Sequence, residues 1–213
     1  MLPFGKYQGQ SIHDIYIKDQ SYIDWLLDQP WFQVRYQELY RIVSQELIKE
    51  KKEIIIDENT TIIYTDGACK NNGCKGEKRK RIRAGIGIHF SEKNKIRLED
   101  ISTRIYDQHI TNNIAELKAI KKAIEVCIEN KIDNLIVIYT DSDYSLKCLT
   151  TWYDQWEKQN LLEGKKNIKL IQSIIELKKD MNIIFKHVKA HTGKLDEHSI
   201  GNYKADKLAN LSL

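Results

Sequence analysis

Residues 61–66 read Thr61-Ile62-Ile63-Tyr64-Thr65-Asp66, and residues 135–141 read Leu135-Ile136-Val137-Ile138-Tyr139-Thr140-Asp141. Both are runs of β-branched and apolar residues that close on Tyr-Thr-Asp. A continuous apolar run of this kind marks a strand covered on both faces, as in sheets with helices on either side. Between them, Ala84 to Phe90 and about 95–105 read as two more strands. From Asn112 to Asn130, Ile114, Leu117, Ile120, Ile124 and Cys127 step by three or four, the period of a helix. Helices near 143–158 and 168–179, a strand at 182–188 and a helix from about 199 to the end complete the order. That order predicts an α/β domain over 60–213, a mixed five-stranded sheet with helices on both faces.

Ligand sites in such sheets lie beyond the carboxyl ends of strands, so Asp66 and Asp141 are expected to point into one crevice. Taken singly, each reads as a helix N-cap, a position that favours Asp. Two further acids, Glu116 and Asp206, sit inside otherwise apolar helices. Acids gathered at one sheet end repel one another unless a cation binds between them. Magnesium, a hard ion that takes oxygen ligands, suits such a cluster. Carboxylates holding two such ions form a phosphodiester-cleaving site, one ion activating water and the other stabilising the leaving oxygen.

Composition narrows the classes. Of 213 residues, 41% are hydrophobic and 30% charged, a globular balance rather than a disordered one. No apolar run approaches the roughly 20 residues of a membrane span. The start, Met1-Leu2-Pro3-Phe4-Gly5-Lys6, lacks the basic-then-apolar pattern of a secretion signal and the Arg/Ser richness of a transit peptide, so a cytoplasmic or nuclear chain is expected. Cys69, Cys74, Cys127 and Cys148 match no zinc spacing and read as reduced, mostly buried thiols.

The net charge of +4 hides an asymmetry. Residues 1–59 carry 7 basic and 10 acidic side chains, leaving 27 and 20 for residues 60–213. The likewise charged stretch 49–59 reads as a linker after a small helical module, residues 1–48. Gly5 and Gly9 punctuate its start, short helices follow near 11–17 and 19–28, Pro30 stops the chain, and a longer helix runs from about 31 to 50. Tyr7, Tyr22, Trp25, Trp31, Phe32 and Tyr36 read as its compact core, with an aromatic nucleic-acid platform as the alternative.

Four segments then carry a family resemblance. Thr65-Asp66-Gly67-Ala68-Cys69, Thr111-Asn112-Asn113-Ile114-Ala115-Glu116, Thr140-Asp141-Ser142, and Ala190-His191-Thr192-Gly193 with Gly201-Asn202 and Ala205-Asp206 resemble type 1 ribonuclease H, in its eukaryotic-like branch. The resemblance covers about residues 60–213. It implies a ribonuclease H-like fold and endonucleolytic hydrolysis of the RNA strand of RNA–DNA hybrids, leaving 5′-phosphate and 3′-hydroxyl ends. It makes Asp66, Glu116, Asp141 and Asp206 the ligands of two Mg2+ ions, with Mn2+ as a substitute. His191 becomes a loop histidine that aids product release or proton movement. Asn72, Asn112 and Asn113 become contacts to RNA 2′-hydroxyls, a role that amides suit because they both donate and accept. Without the resemblance, Asn112 reads as a helix cap.

For the DNA strand, Tyr144, Trp152 and Trp156 match an aromatic channel, with core packing as the alternative reading. Thr111, Asn167 and His109 match a DNA-phosphate pocket, His109 standing where that branch has Arg. Lys158, Lys165 and Lys166 resemble a shortened basic protrusion. A second basic run, Lys75 to Arg83, brings Lys78, Arg79, Lys80 and Arg81 beside the first catalytic strand for phosphate contact. The loop after His191 is long: 15 positions separate it from Asp206, and His198 within it has flanks unlike those of the family's histidine.

At the other end, Phe4-Gly5-Lys6-Tyr7-Gln8-Gly9, Tyr22-Ile23-Asp24-Trp25-Leu26-Leu27 and Pro30-Trp31-Phe32 resemble the small C-terminal module of exodeoxyribonuclease X-like proteins. That implies nucleic-acid or protein contact, although an acidic surface does not attract phosphate. A monomer acting on RNA–DNA hybrid, without membrane contact, is the expected state. A non-catalytic hybrid-binding protein is the rival outside enzymes; integrases and 3′ exonucleases are the rivals within them.

Overall fold

The computed structural model describes residues 1–12, 14–15, 19–52, 56, 58–71, 83–106, 109–190 and 192–213. They form two compact units, Met1–Ile55 and Ile56–Leu213. In the smaller unit, Gly5 and Gly9 take the left-handed φ values of 74° and 79° that its opening loop requires. The loop is closed by the amides of Gly9 and Leu2, which donate to Leu2 and Gln10 carbonyls, each at 2.8 Å. Ile12, Asp14 and Ile15 are helical. Asp19 caps α1 (Gln20–Leu27) by accepting from the Tyr22 amide.

Pro30 does not merely stop the chain. It is the first residue of α2 (Pro30–Arg35), where a missing N–H costs nothing. The single helix expected over 31–50 is instead α2 followed by α3 (Gln37–Lys52), which reaches into the expected linker. Tyr36 divides them at φ −129°, ψ 49°, its ring packed on Phe4 at 4.5 Å. Leu2, Tyr7, Ile15, Ile23, Leu26, Phe32 and Val43 form the core, with Tyr22 and Tyr36 partly buried against it. Trp25 and Trp31 do not join it: they are 49% and 42% exposed.

The larger unit is built on β1 (Thr61–Lys70), β2 (Arg83–Phe90), β3 (Ile101–Ile105), β4 (Ile136–Thr140) and β5 (Ile183–His187), in spatial order β3-β2-β1-β4-β5. β1 pairs antiparallel with β2 and parallel with β4, and β4 pairs parallel with β5, so the sheet is mixed. The third strand is shorter than expected. Asp100 turns its carboxylate back to the His89 ring at 2.9 Å and the Phe90 amide at 3.0 Å, which ends the ladder there.

α4 (Asn112–Glu129) and α7 (Ile168–Lys178) cover one face through Leu117, Ile120, Ile124, Ile171 and Ile174, which pack with Ile63, Ile88 and Ile138. α8 (Glu197–Leu211) covers the other, where Tyr64, Val137, Tyr139 and Ala205 meet. That contact is close because β2 has glycine there: a Cβ on Gly87 would overlap the Ala205 carbonyl and Ala209 amide. The helix expected over 143–158 is α5 (Asp143–Lys147), a π-turn at Cys148–Trp152, and α6 (Tyr153–Lys158). Cys127 and Cys148 are buried free thiols and Cys69 is half-buried, while Cys74 lies outside the described residues. Among the described residues, no helix is long and apolar enough to cross a membrane.

Candidate active site

The parallel pairing of β1 with β4 ends at Thr65↔Thr140, so Asp66 and Asp141 both stand where the two strands part. β1 does not end at Asp66, as its apolar run suggests. It continues four residues to Lys70 along β2, with Asp66 opposite Gly87. Neither Asp is a helix cap: Asp66 is within the strand, and Ser142 caps α5 by accepting from the Ser145 amide. Into the same opening comes the first turn of α4, with Thr111 rather than Asn112 as its cap. The helix fits because Gly67 has no side chain: a Cβ there would overlap the Glu116 amide. The result is a carboxylate oxygen from each of Asp66, Glu116 and Asp141, all within 4.8 Å of one another.

These acids are placed against their own electrostatics. Burial pushes the Asp66 carboxyl up to about 7, and the neighbouring Asp141 and Asp206 carboxylates push the same way. Glu116 is raised well above the ordinary range, first by burial, then by Asp66 and Asp141. A hydrogen bond from the Gly67 amide opposes both shifts. Glu116 Oε2 is buried with no hydrogen-bond partner, a costly state for a carboxylate oxygen. All-oxygen donors, mutual repulsion and an orphaned lone pair aimed among other acids together fit a hard divalent cation such as magnesium.

Asp206 lines the same cleft, an opening of about 450 Å³, though its carboxylate stands outside that tight cluster of three. It accepts from the Asn210 side-chain amide at 2.9 Å. One turn earlier on α8, Asn202 is 3% exposed and donates from Nδ2 to Asp141 Oδ2 at 3.1 Å. Sequence reasoning gave Asn202 no task. The available signal was an amide four residues before an acid, on the same helix face.

Asn112 lines the cleft, and Asn113 and Thr111 are exposed beside it. His109 is exposed in the preceding turn. Tyr144, Trp152 and Trp156 are half-buried against the core and touch in series, with ring centroids 6.1 and 5.9 Å apart. The packing of these rings against the core is the alternative reading of the three, and each also keeps part of its surface exposed. Asn167, at a left-handed φ of 61°, donates to the Tyr144 hydroxyl at 2.9 Å, and the Lys165 ammonium lies 5.1 Å from the Trp156 ring. Lys158 and Lys166 are exposed nearby in sequence. Asn72, Lys78, Arg79, Lys80, Arg81 and His191 lie outside the described residues.

Fold and cluster together define an α/β domain whose sheet end is a carboxylate site suited to a divalent cation. The ribonuclease H family model matches residues 58–213, and the chain belongs to that family. Residues 2–29 match the exodeoxyribonuclease X-like C-terminal model. The chain is 31% identical over 193 residues to the ribonuclease H of Schizosaccharomyces pombe, covering 84% of this chain and 66% of that protein. It is 33% identical over 160 residues to the ribonuclease H of Ruthia magnifica, covering 73% of this chain and 96% of that one. The solution structure of the foamy virus RNase H domain superposes with a TM-score of 0.58 at 26% identity, covering 71% of this chain and 93% of the other. The chain spans 48% to 66% of the length of four curated relatives that it matches.

Proposed function

We propose that this chain hydrolyses the RNA strand of RNA–DNA hybrids internally, leaving 5′-phosphate and 3′-hydroxyl ends, with magnesium or manganese held by its acidic cluster. The observation that carries this is the juxtaposition of Asp66, Glu116 and Asp141 with an orphaned Glu116 oxygen. These three and Asp206 would hold two ions, which when bound supply an activated water and neutralise charge on the departing oxygen. The protein's own groups supply the rest. Asn202 holds one oxygen of Asp141, a residue that lines the cleft. Asn112 and Asn113 offer amides that both donate to and accept from a 2′-hydroxyl, the group that distinguishes RNA from DNA. The partly exposed rings of Tyr144, Trp152 and Trp156 receive the DNA strand, with Lys165 and Lys166 near its phosphates. His191 moves a proton or eases the departure of product. The small unit adds a nucleic-acid or protein contact to an otherwise monomeric enzyme.

The test is a cleavage assay on uniformly labelled RNA–DNA hybrid, double-stranded RNA and single-stranded DNA, each with magnesium or with EDTA. Internal cuts confined to hybrid RNA, and abolished by EDTA, are expected. Asp66→Asn and Asp141→Asn should each reduce cleavage to background while retaining hybrid binding in a gel-shift assay. Full activity in either variant, or end-nibbling of DNA, overturns the reading.

A further inference from the structure

His198 lies at the start of α8, and its ring has no open nitrogen. Nδ1 is 3.0 Å from the Tyr64 hydroxyl, Nε2 is 3.3 Å from the Tyr139 hydroxyl, and the ring stacks on Tyr139 with centroids 4.3 Å apart. In neutral imidazole one nitrogen donates and the other accepts, and a phenol can do either, so both positions are met in either tautomer. A histidine held this way is not positioned to shuttle protons. What it holds is more informative. Tyr64 stands two residues before Asp66 on β1 and so shares its sheet face, and Tyr139 is the next-to-last residue of β4, two positions before Asp141, which follows the strand's end at Thr140.

On α8, His198, Asn202 and Asp206 recur every four residues, on successive turns of one face. The first grips both tyrosines, the second grips Asp141, and the third is the acid that stands outside the tight cluster. Gly201 lets the grip close, since a Cβ there would overlap the Tyr64 ring. Outer ties hold the same turn: Asp196 accepts from the Ser199 amide, Thr192 and Ser199 hydroxyls lie 2.8 Å apart, and Lys93 pairs with Glu197 at 2.6 Å.

We propose that His198 is a positioning residue for the metal site, fixing α8 against β1 and β4 so that Asp206 and the Asn202–Asp141 pair stand at the right distance from Asp66. The inference rests on reading those carboxylates as metal ligands. A clasp of this kind acts through the ligands rather than on substrate. Its loss loosens Asp206 and the Asn202–Asp141 pair and so weakens the site for its ion, toward the low end of the roughly 10- to 100-fold that follows loss of a group bonded directly to a ligand.

The experiment is calorimetric titration of the metal-stripped full chain with Mn2+, without nucleic acid. His198→Ala is expected to weaken Mn2+ binding about tenfold, with the loss partly restored in His198→Gln, which keeps a donor and an acceptor. At saturating metal its KM for hybrid should match the parent chain. Tyr64→Phe and Tyr139→Phe, which remove one hydroxyl each with little change of volume, should each give part of the shift. In an Asp206→Asn background, His198→Ala should add less than it does alone, the non-additivity expected of residues acting through one another. Titrations of His198→Ala and both Phe variants that overlay the parent's overturn the proposal; if His198→Ala does not fold, the Phe variants decide it. Because no nucleic acid is present, a chain that binds Mn2+ but fails to cut hybrid refutes the proposed activity and leaves the binding shift as the measure of His198.

Discussion

Each of the two units holds carboxylates away from bulk water, and they treat them in opposite ways. In the small unit Asp19 has a side chain 22% exposed and is surrounded by donors: the Tyr7 hydroxyl at 2.7 Å, and the Lys6 ammonium and Tyr22 amide at 3.2 Å each. In the large unit Asp66 and Glu116 are 7% and 5% exposed and have acids for neighbours, with one Glu116 oxygen left unpaired. A buried polar group that serves only the fold is satisfied within it. A group kept for a cation is left with its lone pairs turned toward like charges, a cost the protein bears until the cation arrives. The contrast is the one expected if Asp19 serves the fold and the proposed metal site draws on Asp66 and Glu116.

The largest effect should come from disturbing how the binding acids are brought together. Gly67→Ala places a Cβ against the Glu116 amide, and backbone on both sides leaves little room to yield. The first turn of α4 must lift from β1, carrying Glu116 out of the cluster. Mn2+ binding and hybrid cleavage should fall to background, with stability reduced by about 1–3 kcal/mol in a urea melt. Gly9→Ala in the small unit is the counterpart. Nothing lies within 4 Å of its Cβ position, so only the left-handed φ of 79° is strained, costing about 1–2 kcal/mol with metal binding untouched. Equal losses of metal binding in the two variants would break the comparison.

The same division governs what was legible in the sequence. The strands 61–65, 84–90 and 135–139 and the helix after Thr111 could be read because burial imposes a period on apolar residues, and the acids because they interrupt it. The continuation of β1 through Gly67-Ala68-Cys69-Lys70 could not, since these residues have little strand preference of their own and owe their conformation to pairing with β2. The break at Tyr36 involves neither Pro nor Gly; a ring contact with Phe4 selects it. The π-turn at Cys148–Trp152 leaves no mark in composition either. Trp25 and Trp31 read as core in the sequence because bulky apolar residues usually are, but a module of this size has too little interior for all its rings. His198 and Asn202 acquire their tasks only from residues 59 to 134 positions away, a distance at which no local pattern reports.

A smaller effect concerns the burial and mutual repulsion of these acids. Asp66 is raised to about 7 from an unfolded value near 4, so the native state keeps its proton over a range where the unfolded chain has lost it. Stability of the metal-free protein should therefore fall as pH rises from about 4 to about 7, and the raised Glu116 carboxyl adds to the fall in the same direction. Asp66→Asn removes the Asp66 share of this dependence and one repulsive neighbour of Glu116. Its melting temperature without metal should match the parent's near pH 4 and exceed it at pH 8 by several degrees, each 1 kcal/mol being worth about 2–4 °C in a chain of this size. Magnesium should close the gap at pH 8 by stabilising the parent. Parallel melting curves across that pH range would mean that the acids are not in conflict.

Asp19 should show the opposite sign with the smallest magnitude. Asp19→Ala removes the cap of α1 and the partner of the Tyr7 hydroxyl, together worth about 1–2 kcal/mol. The loss should be confined to the small unit, seen as faster amide hydrogen exchange across Gln20–Leu27, with Mn2+ titrations unchanged. Removing a carboxylate would then weaken one unit and strengthen the other, and that difference of sign is a sharper test than either size. Were Asp19→Ala also stabilising, the donors around it would be compensating poorly, and satisfaction by hydrogen bonds could no longer tell the two kinds of acid apart.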